Sequence, residues 1–134
     1  MFSMIIAYEK IITQLRERLV KELGDNIESI VLYGSVARNE ARKDSDIDIL
    51  IVTRNDDRKL YDKISKIRTQ IDLENNTLTA LVQMSRTELE QHVKLGSPFI
   101  ENVLKEGVIL YDSGFFEKIC GSLASKGYQS LKVS

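Results

Sequence analysis

Residues 31–49 read Val-Leu-Tyr-Gly-Ser-Val-Ala-Arg-Asn-Glu-Ala-Arg-Lys-Asp-Ser-Asp-Ile-Asp-Ile. The β-branched and apolar run that enters this stretch, Ile27–Tyr33, predicts a strand that ends at Gly34. Ser35 follows, and a short helix is expected to begin there. Glycine lets a ligand approach the backbone closely, and the start of a helix presents free N–H groups and a partial positive charge. Gly34 and Ser35 are therefore candidates for an anion site that suits a phosphate.

Asp46 and Asp48 supply the opposite charge. They open a second strand, residues 46–53, which is otherwise apolar on both faces and is typical of a central strand with helices on each side. Residues two apart in a strand share a face and lie roughly 6.5–7 Å apart, so the two carboxylates are expected side by side. Their mutual repulsion favours binding of a divalent cation, and magnesium prefers one or two carboxylates together with waters and phosphate oxygens.

A phosphate cradle beside an acidic pair indicates metal-assisted phosphoryl or nucleotidyl transfer. Such chemistry needs oriented phosphates, neutralised charge, and often two metal ions about 3.5–4 Å apart that hold the attacking and leaving oxygens. A magnesium site with two metal ions is therefore the cofactor prediction.

The rest of the chain predicts an α/β (α+β) domain, with a small mixed sheet of about four strands flanked by helices. Apolar periodicity predicts further elements, while the strand order is not readable. Residues 1–112 are interpreted as the main domain, and residues 113–134 as a C-terminal helix and tail packed on that domain or on a partner. Whether residues 127–134 are ordered outside a complex stays open. The remaining helices are expected at 5–23, 60–71, after Ser85, after Ser97-Pro98 and from Phe116, and the remaining strands at 77–84 and 108–111.

The length and the composition of the chain limit the classes of function that it can have. The chain has 134 residues, which is the size of one domain, and 19 Lys and Arg balance 20 Asp and Glu. This near neutrality argues against binding nucleic acid through bulk charge. The single cysteine, Cys120, excludes an intrachain disulfide, and no apolar stretch approaches the roughly 18 residues of a membrane span. A cytoplasmic protein without a membrane partner is expected.

The stretch from Gly34 to Asp48 resembles the G-S-x-A-R-G…S-D-x-D signature of the polymerase-β-type nucleotidyltransferases. It is most similar to the minimal nucleotidyltransferases, which are small domains often paired with a HEPN-type helical protein. The order of elements over residues 10–112 is also similar, including E-x-V-L-K-E-G-V-x-L-Y at 101–111. The resemblance implies that Asp46 and Asp48 are catalytic and bind magnesium. It implies nucleoside triphosphate contacts for Gly34, Ser35, Arg38 and Ser45.

The chain departs from the family pattern at two positions. Asn39 stands where glycine is usual, and asparagine tolerates left-handed backbone angles. Active members also carry a third carboxylate on the third strand, and here that strand has no acid; Thr79 is predicted to occupy the equivalent place. Arg38 has two interpretations, because it is at least as well suited to a structural salt bridge as to direct contact with a phosphate.

The resemblance implies a magnesium-dependent nucleotidyltransferase that moves a nucleoside monophosphate from a triphosphate to a hydroxyl acceptor. The acceptor could be a residue of a cognate HEPN-type toxin, with this chain as the antitoxin. The missing third carboxylate keeps an alternative open, in which a weakly active or inactive nucleotide-binding module neutralises a partner by binding. An aminoglycoside-type enzyme is a weaker third hypothesis, because only about twenty residues follow Tyr111 and such enzymes usually need a further domain.

Overall fold

The computed structural model describes residues 4–40, 46–124 and 132–133. Its helices and strands follow one another in the predicted order. They are α1 (Met4–Leu23), a 3-10 turn (Gly24–Asn26), β1 (Ile27–Tyr33), α2 (Gly34–Ala37), β2 (Ile47–Thr53), α3 (Arg58–Asn75), β3 (Thr79–Ser85), α4 (Arg86–Leu95), α5 (Pro98–Glu106), β4 (Val108–Asp112), α6 (Phe115–Ala124) and β5 (Lys132–Val133).

The sheet is mixed and its strand order is β3-β2-β1-β4-β5. Strand β1 is central and pairs antiparallel with both β2 and β4. Strand β2 pairs in parallel with β3, and the two-residue β5 pairs in parallel with β4. The predicted fold, a small mixed sheet of four principal strands flanked by helices, is confirmed; β5 is a short addition.

Two apolar cores lie on opposite faces of this sheet. The first core joins α1 and α3 to the β2 residues Ile47, Ile49 and Ile51. The second core contains residues of α4, α5 and α6 together with Leu50 and Val52 of β2. Strand β2 is therefore buried on both faces, as its sequence predicted. Asp48 belongs to the same alternating series as Leu50 and Val52, and so lies on the face covered by α4, α5 and α6.

The starts of three helices carry the capping residues or the proline that the sequence predicted. Ser85 and Glu88 form a capping box at the start of α4, with the Ser85 hydroxyl accepting from the Glu88 N–H and the Glu88 carboxylate accepting from the Ser85 N–H. Asp57 caps α3 by accepting from the backbone N–H of Lys59. Pro98 occupies the first turn of α5, where its missing N–H costs nothing.

The C-terminal helix α6 contributes Phe116, which is 1% exposed, to the second core. The proposed division into residues 1–112 and 113–134 stays a prediction, and most of the predicted tail lies outside the described residues. Among the helices that the structure describes, none combines the length and apolar character needed to cross a membrane.

Candidate active site

Gly34 stands at the junction of β1 and α2, in a conformation that favours glycine. Its φ is +76°, and a Cβ atom added there would overlap Oδ2 of Asp48 and lie 3.0 Å from its Cγ. A left-handed φ costs an L-residue roughly 1–2 kcal/mol, and the overlap adds a steric penalty. The glycine therefore lets the turn after β1 contact the Asp48 carboxylate directly. The two halves of the predicted motif meet at this contact.

Asp46 and Asp48 lie at the start of β2 and differ in exposure. Asp48 is half-buried and pairs with Tyr33 across the sheet, whereas Asp46 directly precedes the strand and is exposed. Burial raises the pKa of Asp48, and the negative charges of Asp46 and Glu106 add to that effect while Arg38 opposes it. The predicted pair is thus close enough for the charge of Asp46 to disfavour ionisation of Asp48.

Arg38 forms an ion pair, which is the structural role foreseen as one of its two interpretations. Its Nη1 donates to both carboxylate oxygens of Glu106, at 2.9 and 2.8 Å, and its Nε donates to Glu40 at 3.1 Å. Hydrogen bonds from Glu106 first, and then Glu40, raise the pKa of Arg38. Glu106 also accepts the backbone N–H of Gly34 at 3.2 Å. One carboxylate from α5 is therefore bound to both the turn and the arginine.

Glu106 is the site residue that sequence reasoning missed. It lies in the family-like stretch 101–111, but nothing in that local pattern shows that its side chain reaches Gly34, 72 residues earlier. The only available signal was an acid next to Gly107 at the end of a helix. Asn39, by contrast, adopts φ 61°, as expected for an asparagine in place of the usual glycine.

The prediction that Thr79 takes the place of the third carboxylate is not confirmed. Thr79 pairs with Ile47 and is 3% exposed, and its hydroxyl and N–H both donate to the Asp72 carboxylate, at 2.7 and 3.0 Å. Ile47 belongs to the α1–α3 core, so Thr79 points away from Asp48. The residue paired with Asp48 is Ala80. The third strand therefore places a methyl group, rather than a hydroxyl or a carboxylate, beside the acidic pair.

Tyr33 forms an aromatic wall next to the acidic pair. Its ring meets Phe99 of α5 edge to face, with 5.4 Å between the ring centroids. Burial, followed by the charge of Asp48, raises the pKa of Tyr33 to about 12. The phenol therefore stays protonated at neutral pH and is suited to packing and hydrogen-bond donation.

The donor set fits a hard divalent cation that a ligand helps to bind. Asp46 and Asp48 offer carboxylate oxygens. A bound cation would stabilise the charged form of Asp48, which burial and the neighbouring negative charges disfavour. Within the described part of the chain, no three His, Cys, Asp or Glu side chains are arranged to hold a metal ion by themselves. Further ligands would have to be water or substrate oxygens. Ser35 is half-buried on α2 directly after Gly34, and Ser45 lies outside the described residues.

Comparisons with known proteins identify the family to which the chain belongs. The family described as "Nucleotidyltransferase domain" matches residues 12–111. A protein of Methanocaldococcus jannaschii named "Putative protein adenylyltransferase MJ0604" is 32% identical over 103 residues, which are 77% of this chain and 97% of that protein.

Two solved structures share the fold. One is described as "Crystal structure of the toxin-antitoxin with AMP-PNP"; its TM-score is 0.54 at 19% identity, over 83% of this chain and 85% of that one. The other, described as "a putative nucleotidyltransferase from Sulfolobus solfataricus", has a TM-score of 0.51 at 19% identity, over 84% of this chain and 90% of that one. At such identities the likeness concerns the fold alone.

Proposed function

The chain belongs to the nucleotidyltransferase domain family, and from this premise we propose that it transfers an adenylyl group from ATP to a hydroxyl group of a protein. The observation that carries the proposal is the contact between the Gly34 turn and the Asp48 carboxylate, with Asp46 beside it. A phosphate-binding turn and an acidic pair in contact can hold a triphosphate and its cation together. The curated relative named as a protein adenylyltransferase supports both the nucleotide and the class of acceptor.

In this proposal Asp46 and Asp48 hold magnesium, and the triphosphate lies on the turn. When bound, magnesium supplies neutralisation of the triphosphate charge. Ser35 and Arg38 would contact the phosphates, and so would Ser45, which directly precedes Asp46 in the sequence. Arg38 is 40% exposed in its side chain, so it is accessible to a ligand while it pairs with Glu106.

The reaction forms a bond between the acceptor oxygen and the α-phosphorus and breaks the bond between that phosphorus and the α,β-bridging oxygen. Pyrophosphate leaves, and the hydroxyl proton passes to water, because Ala80 offers no base next to Asp48. A positioned general base is worth about 10²–10⁴ in rate. We therefore expect slow turnover.

A helical protein of the HEPN type is the proposed acceptor, with this chain as the antitoxin. Two lines of support exist: the resemblance to minimal nucleotidyltransferases, and the shared fold with a structure described as a toxin–antitoxin with AMP-PNP. The nearly neutral charge of the chain disfavours nucleic acid as the acceptor. The cytoplasm is the proposed location, since it supplies both ATP and magnesium.

Label transfer from α-³²P-ATP with magnesium tests the proposed activity. The acceptors are the chain itself, the product of the adjacent gene and bulk RNA, and the other α-labelled triphosphates test the choice of base. An Asp46→Asn, Asp48→Asn double variant should abolish transfer, and an Asp25→Asn, Asp62→Asn double variant, which changes two acids remote from Gly34, should retain it. Label on a protein that disappears only in the first variant supports the proposal; label on RNA contradicts the acceptor class.

Ala80 beside Asp48 favours a second candidate, a module that binds nucleotide and neutralises its partner without chemistry. This candidate predicts magnesium-dependent ATP binding and a stable complex with the partner, without label transfer even at enzyme concentrations above that of the acceptor. Single-turnover conditions separate the two candidates, because a slow enzyme still transfers one equivalent.

A further inference from the structure

Glu106 holds the turn that carries the proposed phosphate site. It is the last residue of α5, and its side chain is 19% exposed. One oxygen, Oε1, accepts both the Gly34 N–H at 3.2 Å and Nη1 of Arg38 at 2.9 Å, and Oε2 accepts the same Nη1 at 2.8 Å. The two bonds from Arg38 join oppositely charged groups at 2.8 and 2.9 Å, and bonds of that kind are about twice as strong as neutral ones.

These bonds reach both ends of α2. Gly34 is the first residue of that helix and Arg38 is its C-terminal cap, so a single carboxylate binds the start and the end of a four-residue element. An isolated turn of this length has no stability of its own. The side chain of arginine also has roughly 2 kcal/mol of rotamer entropy to lose on ordering. Glu106 restrains both the short helix and the arginine, and it does so from α5, which comes later in the chain than Gly34 and Asp48.

The hydrogen bond from Gly34 to Glu106 also limits the part that Gly34 can play in binding a phosphate. Its N–H is directed to Glu106, so Gly34 serves the site through its left-handed conformation and its clearance of Asp48. The groups that remain for a triphosphate at this turn are those of Ser35 and the other N–H groups of Arg38. Their placement depends on the position of α2.

We propose that Glu106 is a positioning residue, which holds α2 and the Arg38 guanidinium where the triphosphate binds without contacting the nucleotide itself. This inference rests on the proposed function, because it assigns Glu106 a task only if ATP occupies that turn. The same contacts suit a competing role, in which the carboxylate is an internal anion that the triphosphate must displace. The two roles predict opposite changes in affinity when the carboxylate is removed.

Glu40 offers a matched control. It is the other acidic partner of Arg38, at 3.1 Å from Nε, but its side chain is 66% exposed. Exposed ion pairs contribute little. Replacing Glu40 therefore removes a similar charge from the same arginine. Comparison with Glu106 then isolates the contribution of the half-buried carboxylate.

The test is isothermal titration of magnesium ATP into the wild-type chain and into E106A, E106Q, E40A, R38A and the R38A/E106A double variant, with melting temperatures measured in parallel. We expect E106A to weaken binding about 10- to 100-fold, as loss of a supporting partner typically does. The amide of E106Q can still accept from Gly34 and Arg38, so it should recover part of the loss. E40A should change affinity by no more than about twofold. The loss of binding free energy in the double variant should be smaller than the sum of the losses in R38A and in E106A.

Three results would overturn the role. Tighter binding by E106A would identify Glu106 as a competitor, and equal affinities for E106A and E40A would make it irrelevant to the nucleotide. Additive losses in R38A/E106A would show that the two residues act separately. Failure of the folded wild-type chain to bind magnesium ATP would instead overturn the proposed function, and the role of Glu106 with it. Should E106A not fold, E106Q compared with E40A decides the question.

Discussion

At the scale of single residues, the site depends on a glycine that leaves room, on an acid that is missing and on a carboxylate that comes from a distant helix. Gly34 needs its hydrogen because Asp48 occupies the space of a side chain. Ala80 leaves the third strand without an acid beside Asp48. Glu106 supplies a carboxylate that braces the turn instead. The sequence singled out Gly34 as a turn that a phosphate can approach, but not its contact with Asp48. The role of Ala80 depends on strand register, and that of Glu106 on a contact across 72 residues.

Replacing Gly34 with alanine should damage both folding and nucleotide binding. The substitution combines a left-handed φ of +76° with overlap on Asp48, whereas Gly96→Ala has a φ of +66° and no atom within 4 Å of the added Cβ. Gly96→Ala should therefore cost only the backbone strain, roughly 1–2 kcal/mol. Gly34→Ala should cost at least that and also weaken magnesium ATP binding, which Gly96→Ala should leave unchanged. Urea unfolding and calorimetry measure the two effects; equal behaviour of the two variants would contradict the overlap.

Introducing the missing acid at Ala80 should increase the rate of transfer. Ala80→Asp places a third carboxylate beside Asp48, and a positioned general base contributes 10²–10⁴ in rate, so a gain of about tenfold or more is expected. Repulsion should lower the melting temperature in EDTA, and magnesium should restore it by more than it affects the wild-type chain.

Thr79→Asp is the matched control for this prediction. Thr79 faces the α1–α3 core and its hydroxyl binds Asp72, so an acid there adds a buried like charge. This variant should be destabilised with or without magnesium and should gain no activity. A rate increase in Thr79→Asp but not in Ala80→Asp would show that the assignment of faces is wrong.

At the scale of elements, the boundaries of helices and strands were predictable and their arrangement was less so. The capping box at Ser85, the proline at the start of α5 and the apolar periods of α1 and α3 are local signals, and the structure contains each of them. The position of β1 between β2 and β4 is not local, because it depends on which faces the helices cover. The prediction for Thr79, which the structure does not confirm, has the same origin, since a shift of one residue along a strand moves a side chain to the other face.

Glu28 shows how the elements are tied together at the end of β1 that lies remote from the site. Its carboxylate accepts from Arg54 after β2, at 2.9 Å, and from Ser113 after β4, at 2.6 Å. Burial disfavours its charge, but the hydrogen bonds from Ser113 and Arg54 and the positive charges of Arg86 and Arg54 outweigh burial, and its pKa is lowered from 4.5. Gly34 is six residues along the strand, about 20 Å away.

Glu28→Gln should lower stability in a manner that depends on pH. A lowered folded-state pKa means that Glu28 contributes stability above its ordinary value of 4.5, and that this contribution is lost as the pH falls through the folded-state pKa. The variant should therefore lose about 1–3 kcal/mol at pH 7 and progressively less below pH 4.5. Urea unfolding across that pH range measures the difference in the free energy of unfolding between the variant and the wild-type chain. The exposed Glu74→Gln is the control, and a gap that stays constant with pH would contradict the prediction.

At the scale of the whole molecule, the charge is nearly balanced but unevenly placed. The chain carries 19 basic and 20 acidic side chains, yet Arg38 at the site is surrounded by acids: Glu40 and Glu106 are bound to it, and Asp48 lies near enough to feel its charge. A triphosphate brings further negative charge to the same place. The fold brings these groups together from α2, β2 and α5, so the excess of negative charge at the site is a property of the assembled domain.

ATP should therefore stabilise the protein only when magnesium accompanies it. Without the cation, repulsion from Asp46 and Asp48 opposes binding; with it, a ligand at 100 times its Kd adds about 2.7 kcal/mol to the free energy of unfolding. For a domain of this size that corresponds to a rise of roughly 5–15 °C in Tm. Thermal melts with magnesium alone, ATP alone and both together measure the coupling. The rise should vanish in the Asp46→Asn, Asp48→Asn variant and persist in Asp25→Asn, Asp62→Asn. An equal rise with ATP alone would mean that the acidic pair does not hold the cation, and that the triphosphate binds elsewhere on the chain.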